Sequence, residues 1–530
     1  MEFPSSFLFP FLLFLFILFK VSKKSKPQIS IPKRPPGPWK LPLIGNLHQL
    51  VGSLPHHSLR DLAKKYGPLM HLQLGQVSML VVSSPEIAKE VMKTHDINFA
   101  QRPHLLATRI VTYDSTDIAF SPYGDYWRQL RKICVVELLS AKRVKSFQVI
   151  RKEEVSKLIR IINSSSRFPI NLRDRISAFT YSAISRAALG KECKDHDPLT
   201  AALGEITKLA SGFCLADLYP SVKWIPLVSG VRHKLEKVQQ RIDGILQIVV
   251  DEHRERMKTT GGKLEEEKDL VDVLLKLQQD GDLELPLTDG NIKAVILVST
   301  LALTPFDFIL LKSLIHSSFI VFQDIFGGGG DTVSTAVEWT MAEMMKNPEV
   351  MKKAQAEVRR VFDGKGNVDE AGIDELKFLK AVISETLRLH PPFPLLLPRE
   401  CREKCKINGY EVPVKTRVVI NAWAIGRYPD CWTEAERFYP ERFLDSSIDY
   451  KGADFGFIPF GSGRRICPGI LFGIPVIELP LAQLLFHFDW KLPNGMRPED
   501  LDMTEVHGLA VRKKHNLHLI PIPYSPLTVG

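Results

Sequence analysis

The amino-acid sequence predicts a mainly α fold with a minor β region behind an N-terminal membrane anchor. Three observations carry that expectation. Apolar residues recur at helical spacing over most of the chain from Tyr126 onward. Strand-like alternation is confined to short stretches such as Met70–Val82 and Lys406–Val419. One apolar run, Phe3 to Phe19, is followed at once by Lys20, Lys23, Lys24 and Lys26.

The apolar run comes first. Within it only Ser5 and Ser6 are polar, and it is short beside the roughly 20 residues that cross a bilayer. No A-x-A-like cleavage site follows, and the positive charge lies after the apolar part, which argues against a cleaved secretory leader. Positive-inside logic puts the lysines and everything beyond them in the cytosol. Residues 3–19 are therefore expected to be a signal-anchor helix in the endoplasmic reticulum. Asn163-Ser164-Ser165 is then an unused glycosylation match, because the domain is not luminal. Residues 20–42 form a basic and proline-rich hinge, and Pro32 to Pro42 is too rich in proline for a helix or a central strand. It reads as a stiff connector that fixes the tilt of the domain on the membrane.

The domain proper is expected to span 43–523. Leu59–Lys65 and Pro85–Lys93 read as short helices, Met70–Val82 and Lys406–Val419 as strands, and Pro391–Glu400 as an extended segment. With 530 residues, 45% hydrophobic and 25% charged, the chain has ample material for a large core. A net charge of +10 permits nucleic acid, an anionic membrane or an acidic partner. No zinc-finger spacing or RNP-like motif supports nucleic acid, so none is expected as a partner. The seven cysteines are odd in number and irregular in spacing, which excludes a disulfide framework. Cys401 and Cys405 read as two unlinked thiols, and the domain as facing a reducing compartment.

The most specific motif is Phe460-Gly461-Ser462-Gly463-Arg464-Arg465-Ile466-Cys467-Pro468-Gly469. A thiolate needs N–H donors and positive charge around it, and a thiolate on haem iron pushes electron density toward bound oxygen. Gly463 and Gly469 allow a tight turn that brings N–H groups to the sulfur. Arg465 suits a propionate, and Phe460 suits packing on a porphyrin or shielding the sulfur. The spacing F-x-x-G-x-R-x-C-x-G resembles the haem-binding signature of the cytochrome P450 monooxygenases.

Other motifs carry the same resemblance. Glu385-Thr386-Leu387-Arg388 puts Glu385 and Arg388 on one helix face, and Pro440-Glu441-Arg442-Phe443 follows. Together they resemble the family's Glu-Arg-Arg network, which braces the cysteine loop. Trp127-Arg128-Gln129-Leu130-Arg131 resembles its W-x-x-x-R helix, which implies propionate contacts for Trp127 and Arg131; Arg399 is a third candidate by resemblance. Gly327-Gly328-Gly329-Gly330-Asp331-Thr332 resembles its A/G-G-x-D/E-T motif, with Val333 where Thr or Ser is common. That implies Asp331 and Thr332 as the catalytic pair that delivers protons for oxygen activation. A phosphate loop is the weaker reading there, since no Gly-Lys-Ser/Thr follows.

The resemblance implies a single large, mostly helical domain, where length alone would suggest about three. It also implies haem b with Cys467 as axial thiolate, and electrons from NADPH through a cytochrome P450 reductase. Phe455-Gly456-Phe457-Ile458-Pro459-Phe460-Gly461 is similar to the plant microsomal branch active in specialised metabolism. The partners it implies are the reductase, dioxygen, membrane lipid and a lipophilic small-molecule substrate, a terpenoid before an alkaloid or phenolic skeleton. Arg128, Lys132, Lys142, Arg143 and Lys145 form a candidate basic docking face. Substrate contacts are expected from Arg102–Phe120, the helix around Phe326–Thr332, Pro392–Leu397 and Val506–Val511. Two alternatives stand beside the monooxygenase: a haem-thiolate isomerase or dehydratase that activates no oxygen, and an inactive membrane-anchored product.

The last alternative arises from residues 298–323, Val298 to Gln323. Removing these 26 residues joins Leu297 to Asp324 and gives one unbroken helix ending in Asp331-Thr332. Pro305 alone would break that helix, at about 3 kcal/mol. Asp307, Lys312 and His316 argue against a second membrane span. Valine codons begin with GT and one glutamine codon is CAG, so the ends of the segment are compatible with intron borders, and it reads as a retained intron or a misplaced splice boundary. Sequencing of mature transcripts across the codons for Leu297 and Asp324 is expected to find messages without it; its presence in every message would refute the splice reading.

Overall fold

A computed structural model describes residues 34–190, 215–260, 269–281, 283–300, 326–506 and 510–524. The expected anchor at 3–19, most of the hinge, and residues 301–323 of the expected insertion lie outside the described residues.

Local chemistry sets the element boundaries. Helix α1 (Pro55–Tyr66) opens on a proline, whose missing N–H costs nothing in a first turn, and stops at Gly67 with φ 98°. It extends past both ends of the expected Leu59–Lys65. Strands β1 (Leu69–Leu74) and β2 (Val77–Val82) pair antiparallel, with Leu74 opposite Val77 across a two-residue turn. Gly75 in that turn has φ 59°, as tight hairpins require. The expected Pro85–Lys93 helix divides into a regular part, Pro85–Lys89, and a π-turn, Glu90–Thr94. Helix α2 is Asp125–Lys132 and α3 is Gln148–Ser164. After the short β3 (Ile170–Asn171), helix α4 (Leu172–Leu189) starts where the Asn171 side chain accepts from the Asp174 N–H, and ends at left-handed Gly190.

The second half is again helical: α5 (Val231–Thr260), α6 (Leu270–Asp280), α7 (Asp289–Thr300), α8 (Phe326–Lys346), α9 (Pro348–Phe362) and α10 (Lys377–Leu389). Strands β4 (Arg399–Glu400), β5 (Cys405–Ile407), β6 (Tyr410–Val412) and β7 (Arg417–Ile420) follow. The sequence suggested two strands between Lys406 and Val419; there are three, because β5 and β6 close a hairpin and β7 leaves it to join another sheet. That sheet has the order β1-β2-β7-β4, with β2 and β7 parallel. Helix α11 (Ile470–His487) leads into β8 (Phe488–Lys491), and β9 (Glu505–Val506), β10 (Arg512–Lys513) and β11 (His518–Pro523) complete the chain.

Helix α8 is the axis of the molecule. It touches α4, α7, α9, α10, α11 and β10. From Val333 to Ala342 each side chain is buried, Ser334, Thr335, Glu338 and Thr340 included. A helix surrounded on all sides has no polar face to spend on solvent, so its polar groups must pair inward. The four glycines Gly327–Gly330 are part of this helix, within its first turns, rather than a loop ahead of it. Helices α7 and α8 contact each other, and both contact α4. Among the described residues α11 is the helix long and apolar enough to cross a membrane, but it is largely buried against α3, α8, α9 and α10, and serves as core.

Candidate active site

Cys467 stands on the wall of a deep cavity between α8, α2 and the Phe460–Gly469 loop. About 1320 Å³ of atom-free space lies within it, the open solvent at its mouth included. Of the residues singled out in the sequence, Trp127, Arg131, Thr332, Arg399, Phe460, Arg465, Cys467 and Gly469 line it. Arg102, Ile118, Ala119, Pro392, Phe393, Leu396 and Leu397 come from expected substrate segments. Val506, Ala510 and Val511 do not line it, and 507–509 lie outside the described residues.

The cysteine loop is tightly held. The Cys467 N–H donates to the Phe460 carbonyl at 3.0 Å, and the Gly469 N–H donates to Cys467 Sγ at 3.4 Å. An N–H aimed at sulfur favours the thiolate. Gly463 has φ 70°, and a Cβ there would lie 2.2 Å from the Met92 carbonyl oxygen. Its lack of a side chain is therefore a requirement of backbone approach. Gly469 is different. Its φ of −89° is open to any residue, so its contribution is the N–H and the open space beside the sulfur. Gly463 does not line the cavity; it seats the loop on the Met92–Asp96 turn.

Four arginines, Arg102, Arg131, Arg399 and Arg465, line the cavity, and among the described residues no carboxylate does. Arg465 donates to the carbonyls of Ala100, Ile118 and Ser121, and its guanidinium lies 4.2 Å from the Trp127 ring centroid. Arg399 is buried and donates to the Ser462 carbonyl at 2.9 Å. Burial lowers its pKa to about 10, although Asp96 lies 3.6 Å away. Asp96 is shared with Arg464 at 2.9 Å, so the counter-charge is incomplete. Trp127 presents its ring, since its indole N–H already donates to the Ile118 carbonyl at 2.9 Å. Arg102 was expected only as part of a substrate segment. It binds the carbonyls of Ala119, Leu397 and Pro398 at 2.7–2.9 Å and so ties two walls together.

Behind the loop lies the buried network. Glu385 accepts from Arg388 at 2.7 and 2.8 Å, from Arg442 at 3.1 Å and from the Tyr439 N–H at 2.8 Å. Arg388 also donates to the carbonyls of Gly426, Ala435 and Arg437. Trp432 lies under both guanidinium groups, 5.1 Å from Arg388 and 5.8 Å from Arg442, and donates to the Gly456 carbonyl at 3.2 Å. Through Trp432 and Phe457 the network reaches the stretch that leads to Cys467.

On the opposite wall Thr332, Val333 and Ala336 of α8 face the cavity. Asp331 does not. Its carboxylate pairs with Arg173 on α4, which also holds Glu338 at 2.9 Å. Asp331 lies about 100° around the helix from Thr332, on the side turned toward Arg173 and away from the cavity.

The family model for "Cytochrome P450" matches residues 35–302 and 320–520. The chain belongs to the cytochrome P450 family. It is 51% identical to "Premnaspirodiene oxygenase" of Hyoscyamus muticus, with 98% of each chain covered. It is 51% identical to "Tabersonine 6,7-epoxidase isoform 1" of Catharanthus roseus, with 99% of each covered. "Salviol synthase" of Salvia pomifera is 50% identical, over 96% of this chain and 95% of that one. Among solved structures, a zebra fish cytochrome P450 with abiraterone superposes with a TM-score of 0.71 at 24% identity, over 88% of this chain and 99% of that one.

This P450 is a monooxygenase of the plant type, and its cofactor is haem with cysteine thiolate ligation, supplied with electrons by a reductase. When bound, haem supplies the oxygen-activating redox chemistry. The cavity fits it: one sulfur with an N–H donor, and four guanidinium groups without a carboxylate, match a thiolate-ligated dianion.

Two outcomes follow from this geometry. Glu385→Gln leaves Arg388 and Arg442 without their counter-charge, at a cost of about 3–5 kcal/mol; the purified variant is expected to retain little haem, read as Soret absorbance per protein. Gly463→Ala is expected to lose haem as well, because the new Cβ meets the Met92 carbonyl and a positive φ. Haem retention equal to the parent would refute the corresponding brace.

Proposed function

We propose that this P450 hydroxylates a lipophilic terpenoid, using NADPH and dioxygen, with one oxygen atom entering substrate and the other leaving as water. The observation that carries the reading is the chamber beside Cys467. Away from the arginines its wall is apolar: Ile118, Ala119, Val333, Ala336, Phe393, Leu396, Leu397 and Phe472. Such a wall selects by shape and desolvation, with few polar groups to fix orientation. The named relatives include an oxygenase of premnaspirodiene and an epoxidase of tabersonine, which keeps an alkaloid as the second candidate class.

In this reading Cys467 would ligate the haem iron, and its deprotonated form is favoured by the Gly469 N–H. Arg131, Arg399 and Arg465 would hold the propionates, with Trp127 stacked on Arg465. Phe460 shields the sulfur. Thr332 hands protons to the oxygen side of the chamber. Asp331 stands one residue back, on Arg173, as the group that reloads it. Glu385, Arg388 and Arg442 keep the loop in register. Arg128, Lys132, Lys142 and Lys145 are exposed near the loop-bearing side and serve the reductase, with Arg143 half-buried among them.

The domain is proposed to sit on the endoplasmic reticulum membrane through residues 3–19, with its catalytic part cytosolic. Support comes from exposed apolar side chains close to where the hinge enters: Trp39, Leu43 and Val51, and Trp224, Leu227 and Val228. The two groups are linked, since Tyr219 donates to the Leu43 carbonyl. Exposed apolar surface of this kind favours lipid contact. Residues 298–323 are proposed to be an insertion foreign to the working enzyme. The family match omits 303–319, and α7 and α8 meet although the chain between them is long.

The carbon monoxide difference spectrum tests the site. The form lacking 298–323 is expected to show the thiolate-ligated Soret band, and Cys467→Ser to lose it. With reductase and NADPH, Thr332→Ala is expected to keep that band but to slow product formation by about 10²-fold. A Cys467→Ser protein with the thiolate band would overturn the ligand assignment. Turnover without NADPH would favour an isomerase.

A further inference from the structure

A second chemical cluster lies away from the cavity, where α1 meets the β9–β10 hairpin. His56 Nε2 and His57 Nε2 both approach one oxygen of Glu505, Oε2, at 2.8 and 3.0 Å. All three ligand atoms lie within 4.8 Å of one another. We propose that His56, His57 and Glu505 form a binding site for a divalent transition cation, with zinc the best match, which pins the hairpin to α1.

The donor set is the first argument. Two imidazoles and one carboxylate suit zinc, which bonds them at about 2.0–2.2 Å and takes a fourth ligand such as water. The spacing is the second. Four-coordinate bonds of that length put neighbouring donors roughly 3.3 Å apart, close to the separations found. Hydrogen bonding is the third. His56 is fully buried and its Nε2 is hydrogen-bonded to Glu505 Oε2 at 2.8 Å, so a cation there would take the place of the shared proton. The His57 Nε2 is itself buried and makes no properly directed hydrogen bond, although it faces the carboxylate. The His57 ring is one-third exposed, which leaves an approach for the ion and its water.

The surroundings supply a second shell. His390 faces the other oxygen of Glu505 at 3.7 Å through Nδ1, and its Nε2 lies 2.7 Å from Glu343 on α8. The Trp339 ring stacks on His390 at 3.9 Å. Carboxylate–imidazole chains of this kind orient metal ligands and tune their basicity. Asn421 holds the backbone of His56 through its carbonyl at 2.8 Å. The opposing charge is Arg427, which is itself paired with Glu436 at 2.9 Å. A cation here would fix β9, and with it the Val511 segment that bonds to Pro392 and Trp339 beside the chamber.

The test uses the untagged, haem-loaded full chain, stripped by chelator and then equilibrated with zinc ions. Elemental analysis is expected to find one zinc per protein. His57→Ala, the least buried ligand, is expected to weaken binding tenfold or more; His57→Cys, which restores a zinc ligand, is expected to recover it; and His515→Ala is expected to change nothing. Cobalt in place of zinc should give the intense visible bands of a four-coordinate site, lost in His57→Ala. No retained zinc, or zinc bound equally by the parent and His57→Ala, would overturn the site. All readouts are metal binding, so they stand or fall separately from monooxygenase activity.

Discussion

A carboxylate without water must be surrounded by donors, and Glu385 is. It is fully buried and receives four hydrogen bonds, three of them from guanidinium groups. This is the constraint on which the rest of the site depends. The guanidinium groups that satisfy Glu385 have donors left over, and these reach the carbonyls of Gly426, Thr433, Ala435 and Arg437. A stretch with little regular structure is thereby fixed as firmly as a strand. Trp432 passes that rigidity to the residues before Cys467. A buried ion pair is weak evidence for net stability, but here it specifies where the backbone runs.

The cavity adds the complementary constraint. Arg102, Arg399 and Arg465 are clamped from behind by backbone carbonyls, so their positions are set before any anion arrives. Arg465 is held by three separate carbonyls, and Arg102 by another three. Preset donors lose little freedom on binding, which favours tight retention of an anionic group.

The sequence made the cysteine loop and the Glu-Arg-Arg network legible because both are sets of fixed spacings, and the helical class legible through periodicity. It did not reveal which way each side chain turns. Asp331 and Thr332 read as one unit, yet helical rotation sends one to Arg173 and the other to the cavity. Gly463 and Gly469 read as equivalent, yet only Gly463 has a positive φ and a backbone contact. Arg102, Leu139 and Phe472 carry no local motif; they meet the cavity only through contacts between distant segments. The His56–Glu505 contact joins residues 449 apart, a separation that no spacing rule can see. The four glycines of α8 were legible as a signal, but not as the opening turns of the helix itself.

The loop's partners also set an order of assembly. The clamps on Arg464 and Arg465 come from residues 96 to 121, and the brace comes from residues 385 to 442. The partners of Arg465 are separated from it by up to 365 positions. Loop closure over such distances is slow, because chain entropy is lost before the contacts that offset it can form. During synthesis the N-terminal clamps wait, with their carbonyls bare, until almost the whole chain has emerged. Cofactor capture is then a final act of folding rather than its nucleus, and any truncation before the loop leaves a mostly complete helical body that has nowhere to hold its iron.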